Sequence, residues 1–429
     1  MRSTTRITAI LATALVAGAL TACSPGGSSQ VSDDGTGKVV LWYLPEDDGA
    51  TFIASIKEAF EAANPGTILD AVGVPEDNYV TKVDTAMLAN QPPDIAFMLD
   101  AKWIKAGRLA PVDKLLSDAG VDLANWNPVA MSSCQLDGAT YCVGSQQFTT
   151  ALVYNKDMFD AAGLDYPSAT EPMTIDEFAE LSKRLTQPSD DPAARVYGAA
   201  ISGPLNGMTS MATFYGEDGT AAIGNADSPR TAHLFDVLAG LARDGSITQP
   251  VMFANKSSAD LMSAGNAAMT IEGVDYVGFA MDAADRRWGV APPPVIEAGD
   301  TPYVFSGTDR WAMLTGGRNN LGAEKFLSWF AQHGGEYRLQ LDQAPLDTTQ
   351  LSEWAEGSES RGEMVQVLTL ATHPSPFIPN LWGFTGKLDD LYIQLASGDK
   401  TDAATELTSL APELQRQLDE AWKNWEAIR

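Results

Sequence analysis

The chain has 429 residues, which is too long for one comfortable hydrophobic core and suits two domains. Hydrophobic residues make up 45% of it, so disordered and fibrous classes are excluded except at the ends. A formal net charge of −28 and an isoelectric point near 4.3 argue against a nucleic-acid partner, because its phosphates would be repelled. This acidic balance suits a sugar ligand and a cationic ligand equally.

The first residues predict an export signal. Arg2 and Arg6 precede an apolar run over 7–20 that is too short to span a bilayer as a mature helix. The segment LTAC, which ends at Cys23, resembles a bacterial lipobox and implies that residues 1–22 are removed and Cys23 is lipidated. A plain secretory signal with a chance cysteine is the alternative. Removal takes away two arginines, so the mature charge becomes −30 (−28 minus 2). Residues 23–37, rich in Gly and Ser, predict a flexible tether.

Strands and helices alternate in the next part of the chain. A strand over 38–44 precedes a helix over 50–63, a strand over 67–74, a helix over about 79–88 and a strand over 94–99. Asn64-Pro65-Gly66 and Pro92-Pro93 interrupt the pattern between these elements. Such alternation predicts βαβ units and a parallel sheet.

Cys134 and Cys142 are the cysteines that remain after Cys23. An export signal places them in an oxidising compartment, where pairing is expected. Gly138 lies midway between them, so an antiparallel hairpin with an odd-numbered loop would place the two cysteines opposite each other. We therefore predict a structural disulfide, with free thiols as the alternative, and no catalytic or metal role.

Residues 141–159 predict a crossing between two lobes. The segment leaves a hairpin, runs extended through Gln146, Gln147, Thr149 and Thr150, and ends before a helix that begins near residue 157. Amides and hydroxyls on such a crossing would line a cleft, since binding sites favour the seam between domains. An ordinary buried strand with polar ends is the alternative.

The second half of the chain is predicted to repeat the alternating pattern. It predicts helices over 174–185, 228–243 and 259–264, the first with a capping box that starts at Thr174, and strands over 196–202 and 267–271. Residues 303–314 and a helix over 323–332 would return to the first lobe, and residues 343–346 would form a further crossing. Helices over 389–396 and near 413–425 would complete the second lobe. The sequence shows no internal repeat and no mature transmembrane segment.

Several fragments, in this order, resemble one known family. They are FEAANPG, PPDI, GRLAPVD, DGATYCVGS, LVYNKDMFDAAGL, GNAAMTIEGVDYV, RWGVAPPPV and AEKFLSWFAQ. Together they are similar to the solute-binding lipoproteins of bacterial ABC sugar importers, of the maltose-binding-protein-like type, over nearly the whole mature chain. One departure is Asp275-Tyr276, which stands where many members carry Trp.

The resemblance implies an α/β fold of the two-lobed, periplasmic-binding-protein-like type II, whose hinge-linked lobes close on a ligand in the cleft between them. The expected division is a signal peptide over 1–22, a tether over 23–37, a first lobe over 38–148 and 303–344, and a second lobe over 149–302 and 345–429. The implied function is a lipid-anchored monomer on the extracellular face of the bacterial cell membrane that delivers an oligosaccharide to ABC transporter permease subunits.

Sugar recognition needs flat aromatic faces against the C–H patch of the ring, and charged or amide groups for its hydroxyls. Such side chains are expected in loops at the carboxyl ends of strands, although solvated loops and core positions are alternatives for several of them. Asp309 and Arg310 could also pair with each other. The predicted ligand-binding residues are Tyr43, Glu46, Asp47, Asp100, Trp103, Gln146, Gln147, Asn206, Asp275, Tyr276, Ser306, Asp309, Arg310, Asn380 and Trp382, of which Trp382 is the foremost stacking candidate.

The sequence favours a receptor over an enzyme. His233, His333 and His373 show no metal-ligand spacing, and no GxSxG, HExxH or Walker sequence is present. We predict no metal site and no cofactor. The alternatives are a receptor of the same fold for a cationic solute, a lipoprotein glycosidase, whose carboxylate pair a sequence does not reveal, and a passive surface adhesin.

Overall fold

The computed structural model describes residues 34–45, 49–97, 100–191, 194–204, 209–371, 374–379 and 381–428, with the backbone alone at 382–384. The predicted signal peptide, Cys23 and most of the tether lie outside the described residues. So do the ligand candidates Glu46, Asp47, Asn206 and Asn380 and the side chain of Trp382. Within the described ranges, no helix is long and apolar enough to cross a bilayer.

The strands of the described residues are β1 (Gly37–Tyr43), β2 (Thr67–Gly73), β3 (Ile95–Ala96), β4 (Gln135–Leu136), β5 (Ala139–Thr140), β6 (Gln147–Asn155), β7 (Met269–Gly273), β8 (Trp288–Ala291), β9 (Phe305–Thr308) and β10 (Ala312–Met313). The helices are α1 (Gly49–Ala63), α2 (Glu76–Leu88), α3 (Ala101–Lys105), α4 (Asp113–Asp118), α5 (Pro128–Met131), α6 (Lys156–Ala162), α7 (Ile175–Leu185), α8 (Ala212–Tyr215), α9 (Pro229–Asp244), α10 (Ser258–Ala264), α11 (Val274–Ala283), α12 (Asn320–Gln340), α13 (Leu351–Ala355), α14 (Glu359–Leu368), α15 (Trp382–Ser397) and α16 (Ala403–Ala427). The predicted capping box is confirmed, since Thr174 and Glu177 cap α7 reciprocally.

A mainly parallel sheet organises the first lobe. Its strand order is β10-β3-β1-β2; β1 is parallel to β2 and β3, and β10 is antiparallel to β3. Val39 and Leu41 of β1 are fully buried, because alternate side chains of a strand share a face. The helices α1 and α12 pack together through aromatic rings such as Phe52 and Phe330, whose centroids are 6.1 Å apart. These residues belong to one buried group, the first-lobe cluster, and the predicted parallel sheet is confirmed here.

A second sheet, built around β6, organises the other lobe. The strands β7, β8 and β9 all pair antiparallel with β6, so the prediction that the second half repeats the parallel pattern is wrong for this sheet. The predicted strand over 196–202 forms isolated bridges, most of them parallel. Leu152 and Tyr154 face one buried cluster, whereas Ala151 and Val153 face another. The sheet is therefore covered on both faces, since successive side chains of a strand point to opposite sides.

Three extended segments run side by side between the lobes, and they are called the crossings below. The first leads into β6, the second contains β9, and the third contains Ala344. Gln147 lies opposite Thr308 in the β6–β9 pairing, and its backbone N–H donates to the carbonyl of Ala344 over 2.9 Å. The extended parts of the predicted crossings over 141–159 and 343–346 thus lie side by side with β9, whereas α6 already begins at Lys156.

The exact domain boundaries within the crossings stay predictions. Ala344 packs in a cluster of the second lobe, whereas Leu346 packs in the first-lobe cluster. The carbonyl of Leu346 also accepts a hydrogen bond from the backbone N–H of Asn127 over 3.2 Å. The predicted boundary between residues 344 and 345 therefore falls inside a segment that alternates between the two lobes.

The hairpin of β4 and β5 carries the predicted disulfide. Cys134 and Cys142 are bonded to each other, and their Cα atoms are 5.3 Å apart. Asp137 and Gly138 form the turn with φ values of 51° and 81°, a left-handed region that glycine adopts without steric cost. The disulfide staples the chain just before it enters the first crossing, and the predicted pairing is confirmed.

Candidate functional site

The cleft between the lobes is bordered by strand ends from both sheets. Tyr43 ends β1, and Asp100 follows β3 at the same edge of the first sheet. Arg310 lies between β9 and β10 and is close enough for the charge of Asp100 to act on it. Asp275, which follows β7 in the second lobe, is in turn close enough to feel the charge of Arg338 in α12. Arg310 directly follows the second crossing, so Asp100 lies close to that crossing.

Arg310 is the half-buried cation of the site. Its guanidinium has no hydrogen-bond or ion-pair partner among the described residues. Burial lowers the pKa of Arg310, and the charge of Asp100 acts in the opposite direction. Asp100 is itself engaged, since its carboxylate accepts from the backbone N–H of Lys102 over 2.9 Å and caps α3. A shielded guanidinium that no described residue bonds to is suited to bind the polar groups of a ligand.

Asp275 supplies a carboxyl group from the second lobe. It is the second residue of α11, is half-buried, and has no hydrogen-bond partner among the described residues. Burial raises the pKa of Asp275 to about 7, although the charge of Arg338 acts to lower it. Near neutral pH the carboxyl can therefore donate or accept a hydrogen bond. The next residue, Tyr276, leaves 45% of its surface exposed and offers an aromatic face.

Two polar side-chain atoms at the crossings are buried without a partner. They are Oε1 of Gln146 and Oγ of Ser306, neither of which has a hydrogen-bond partner among the described residues. Beside Ser306, Phe305 is 38% exposed and its ring lies 5.9 Å from that of Phe148. Because buried polar atoms are nearly always satisfied, a ligand or a water molecule is expected to complete these hydrogen bonds.

Three of the predicted ligand residues are enclosed by protein. Trp103 is 2% exposed in the first-lobe cluster, and its indole N–H donates to Asp84 over 2.7 Å. Gln147 is fully buried, and its Oε1 accepts from Asn127 over 2.7 Å. Asp309 is 2% exposed and does not pair with its neighbour Arg310. The structure therefore places these three in supporting positions rather than on the wall of the cleft.

Asp389 is a candidate that sequence reasoning missed. It lies half-buried in α15. If Gly203 carried a Cβ atom, that atom would lie 3.5 Å from Oδ1 of Asp389. Gly203 directly follows the second-lobe segment 196–202, which forms isolated β-bridges. Burial and the charge of Asp390 raise the pKa of Asp389 to about 6. The predicted helix began at residue 389, whereas α15 begins at Trp382, about two turns earlier. Adjacent acids inside a helix would have been the available signal.

A cavity of about 520 Å³ opens on the second lobe beside Tyr276. Its lining includes an aromatic ring from Phe253 and charged groups from Lys256 and Glu272. The hydroxyl of Ser258 donates to the carboxylate of Glu272 over 3.4 Å. Ligand pockets usually span roughly 300–1,000 Å³, so this cavity has the size of a subsite for a small organic group.

The lobes also touch away from the crossings. The ammonium group of Lys105, at the end of α3 in the first lobe, lies 5.5 Å from the ring centroid of Trp425 in α16. Phe377 packs 4.8 Å from the same ring and is 43% exposed. This cation–π contact joins the two lobes at a place outside the crossings. Since its two residues belong to different lobes, it forms only when the lobes approach each other.

Comparison with known proteins gives a consistent picture. The family model described as bacterial extracellular solute-binding protein matches residues 44–337. The chain is 26% identical over 315 residues to the maltotriose-binding protein of Pyrococcus abyssi, a match that covers 70% of this chain and 64%, or less than two thirds, of that protein. It is also 26% identical over 420 residues to the maltodextrin-binding protein MdxE of Bacillus subtilis, with 92% and 93% of the two chains covered.

Solved structures support the fold. The maltose-bound MalE3 of T. maritima superposes with a TM-score of 0.71 at 16% sequence identity, and the match covers 89% of this chain and 100% of that chain. At this identity the likeness concerns the fold alone. The predicted class, an α/β fold with two hinge-linked lobes of the periplasmic-binding-protein-like type II, is confirmed.

Proposed function

The chain belongs to the bacterial extracellular solute-binding protein family, and we propose that its cleft captures an oligosaccharide outside the cell and delivers it to the permease of an ABC importer. The observation that carries this proposal is a set of polar groups beside the crossings that have no partner among the described residues, namely Arg310, Asp275, Gln146 Oε1 and Ser306 Oγ. The relatives named for maltotriose and maltodextrin binding support a glucan as the ligand class.

The chemistry of these groups suits a sugar. Exposed rings of Tyr276 and Phe305 can cover the C–H face of a pyranose, while Arg310 donates to its hydroxyls and Asp275 accepts from them. Each hydrogen bond to a charged group contributes roughly 1.5–3 kcal/mol, so a few such contacts suffice for an affinity of about micromolar, or roughly −8 kcal/mol. Such an affinity would allow both capture and release.

The proposed mechanism is closure of the lobes on the ligand. Arg310 lies on the first-lobe side and Asp275 on the second-lobe side, so a ligand touches both only when the lobes approach each other. The additional contacts in the closed state shift the open–closed equilibrium, and the permease would recognise the closed surface. The contact of Lys105 with Trp425 would form at the same time and favour closure slightly.

The proposed ligand set follows from both the predicted residues and their surroundings. From the described residues it comprises Tyr43, Asp100, Gln146, Asp275, Tyr276, Ser306 and Arg310, to which we add Asp389. Glu46, Asp47, Asn206, Asn380 and the side chain of Trp382 lie outside the described residues and stay predictions.

We propose a receptor that returns its ligand unchanged. The family that matches consists of solute-binding proteins. Incubation with maltotriose should therefore release no reducing sugar beyond that of the trisaccharide. Hydrolysis that depends on Asp275 or Asp389 would instead make the protein a glycosidase.

The proposed setting is the extracellular face of the cell membrane, where a monomer is held by a lipid on Cys23. Mass spectrometry of the mature N-terminus should find a diacylated Cys23, and Cys23→Ser should release the protein into the medium. An unmodified N-terminus at another residue would contradict the anchor and leave a plain secretory signal.

A thermal-shift screen tests the proposed function. The purified protein is heated with maltotriose, longer maltodextrins, mannotriose, amino acids and polyamines, because a ligand that binds only the folded state raises the melting temperature. A rise with one glycan class, confirmed by calorimetry, supports the proposal. A rise with polyamines alone, weakened strongly by salt, would replace it with a receptor for a cationic solute.

A further inference from the structure

The three crossings meet at one buried ion pair. Arg338 of α12 is 6% exposed and Asp309 of the second crossing is 2% exposed, and Nη2 of the arginine lies 3.1 Å from Oδ2 of the aspartate. The same guanidinium donates through Nε to Oγ of Ser145 in the first crossing, over 3.2 Å. Through Nη1 it donates to Oε1 of Gln343, where the third crossing begins, over 3.0 Å. One side chain thus contacts all three crossings.

The carboxylate of Asp309 completes this junction. Its Oδ1 accepts from the backbone N–H groups of Ser145 and Gln146, over 2.6 and 3.2 Å, and its Oδ2 accepts from Oγ of Ser145 and Nε1 of Trp311, over 2.5 and 2.8 Å. Burial by itself would raise the pKa of Asp309, but Arg338 and these donors hold it below its usual value. Every group that faces Asp309 in this set is a donor, so the junction requires the ionised carboxylate.

The junction holds two residues of the proposed ligand site without touching the ligand. The backbone N–H of Gln146 donates to Asp309, and the carbonyl of Gln146 accepts from the hydroxyl of Thr308 over 2.6 Å. Its backbone is therefore fixed on both sides, while its side-chain Oε1 has no partner among the described residues. Arg310 follows Asp309 directly in the chain, so its position depends on the same junction.

We propose that Asp309 and Arg338 are positioning residues that fasten the first-lobe ends of all three crossings into one rigid hinge anchor. The inference rests on the proposed function, because it gives the pair a role in ligand capture. With this anchor intact, closure bends the crossings only on their second-lobe side, and Gln146 and Arg310 meet the ligand from fixed positions. Removal of either residue leaves the buried charge of the other without its ion-pair partner and frees the crossings to move independently.

A second buried ion pair offers a matched control. Lys156 is 1% exposed, and its Nζ lies 2.9 Å from the carboxylate of Glu363. Glu363 also accepts from the backbone N–H of Val290 over 2.8 Å, so this pair likewise joins several elements. It lies at the second-lobe end of β6, and within the described residues no hydrogen bond or ion pair joins it to segments 143–149, 305–311 or 343–347. Loss of this pair should lower stability without any effect on the hinge anchor.

Hydrogen exchange in the absence of ligand tests the anchor. Asp309→Asn replaces a carboxylate oxygen with an NH₂ group, which would face the N–H and O–H donors that now bond to Asp309. Because the shared junction is then lost, we expect backbone amides in segments 143–149, 305–311 and 343–347 to exchange faster together, by about tenfold or more. Glu363→Gln should leave these segments unchanged and speed exchange near 288–291. Faster exchange in 305–311 alone, or equal effects of both variants on the crossings, would overturn the proposal.

A milder variant covers the case in which Asp309→Asn does not fold. Ser145→Ala removes the hydroxyl between Arg338 and Asp309 and leaves the ion pair, so the same three segments should exchange faster to a smaller degree. Calorimetry with maltotriose should show about tenfold weaker binding for Ser145→Ala and less than about twofold for Glu363→Gln. Equal affinity for Ser145→Ala and the unaltered protein would contradict the positioning role. Absence of maltotriose binding by the unaltered protein would count against the proposed sugar, whereas the exchange comparison needs no ligand and still decides the anchor.

Discussion

Adjacent residues in the crossings have different roles. Gln147 and Asp309 point into the protein, where their polar atoms bond to neighbouring side chains and backbone. Gln146 and Arg310, next to them in the chain, keep polar groups without a partner among the described residues. Because successive side chains of an extended segment point to opposite sides, one residue supports the crossing and the next is left to the cleft. The site is therefore built from alternate residues of a structural bundle.

Replacement of Trp103 by Ala should give the largest effect on stability. The side chain is 2% exposed, and loss of such a buried Trp costs about 3–5 kcal/mol of unfolding free energy. Denaturant unfolding measures that loss, and the folded fraction should keep its ligand affinity. Tyr276→Ala is the reverse control, with little loss of stability and clearly weaker binding. If Trp103→Ala weakens binding but leaves stability intact, Trp103 is a ligand residue after all.

Replacement of Arg310 by Gln should affect binding most. Loss of a charged donor should weaken ligand affinity by about 10- to 100-fold, the equivalent of roughly 1.5–3 kcal/mol. Stability should hold or rise, because the removed cation has no partner among the described residues. Arg287→Gln is the matched control, since Arg287 is exposed and pairs with Asp157 and Asp160 on the surface of the second lobe. Equal affinity losses for the two variants would contradict a ligand role for Arg310.

The carboxyl of Asp275 should make stability fall with rising pH. Its pKa is raised to about 7 in the folded protein, whereas an unfolded Asp ionises near 3.9. Between these values the folded state holds more protons than the unfolded state, so the stabilisation present at low pH is lost as the pH rises through about 7. Asp275→Asn should therefore gain melting temperature relative to the unaltered protein between pH 5 and pH 8. A difference that stays constant over this interval would show that Asp275 is already ionised at pH 5.

Replacement of Trp425 by Leu should have the smallest effect. An exposed cation–π contact contributes about 0.5–1 kcal/mol, so loss of the Lys105 contact should weaken ligand binding by roughly two- to fivefold through a more open resting state. Small-angle scattering of the ligand-free protein should show a slightly larger radius of gyration. Lys105→Met should reproduce both changes. Weaker binding in only one of the two variants would mean that the contact does not stabilise closure.

The sequence by itself determined many of the elements and their order, although it did not predict α11 or α14. Apolar periodicity, the Thr174 capping box and the Asn-Pro-Gly break specified helices and strands through local interactions, which depend on residues only a few positions apart. The spacing of Cys134 and Cys142 around Gly138 was sufficient to predict the disulfide, because a hairpin also depends on residues that are close in the chain. The resemblance to a family of solute-binding proteins was likewise readable, since it rests on fragments in a fixed order.

Only the tertiary structure decided which polar residues face the cleft. Asp309 and Arg310 are adjacent and equally plausible as ligand residues, yet the first bonds to Arg338, which is 29 residues away in the chain. Asp389 entered the candidate site because the fold brings its carboxyl close to Gly203, which is distant in the chain. Burial and hydrogen-bond partners come from segments distant in sequence, so local patterns identify polar side chains but do not show which of them the fold leaves without a partner.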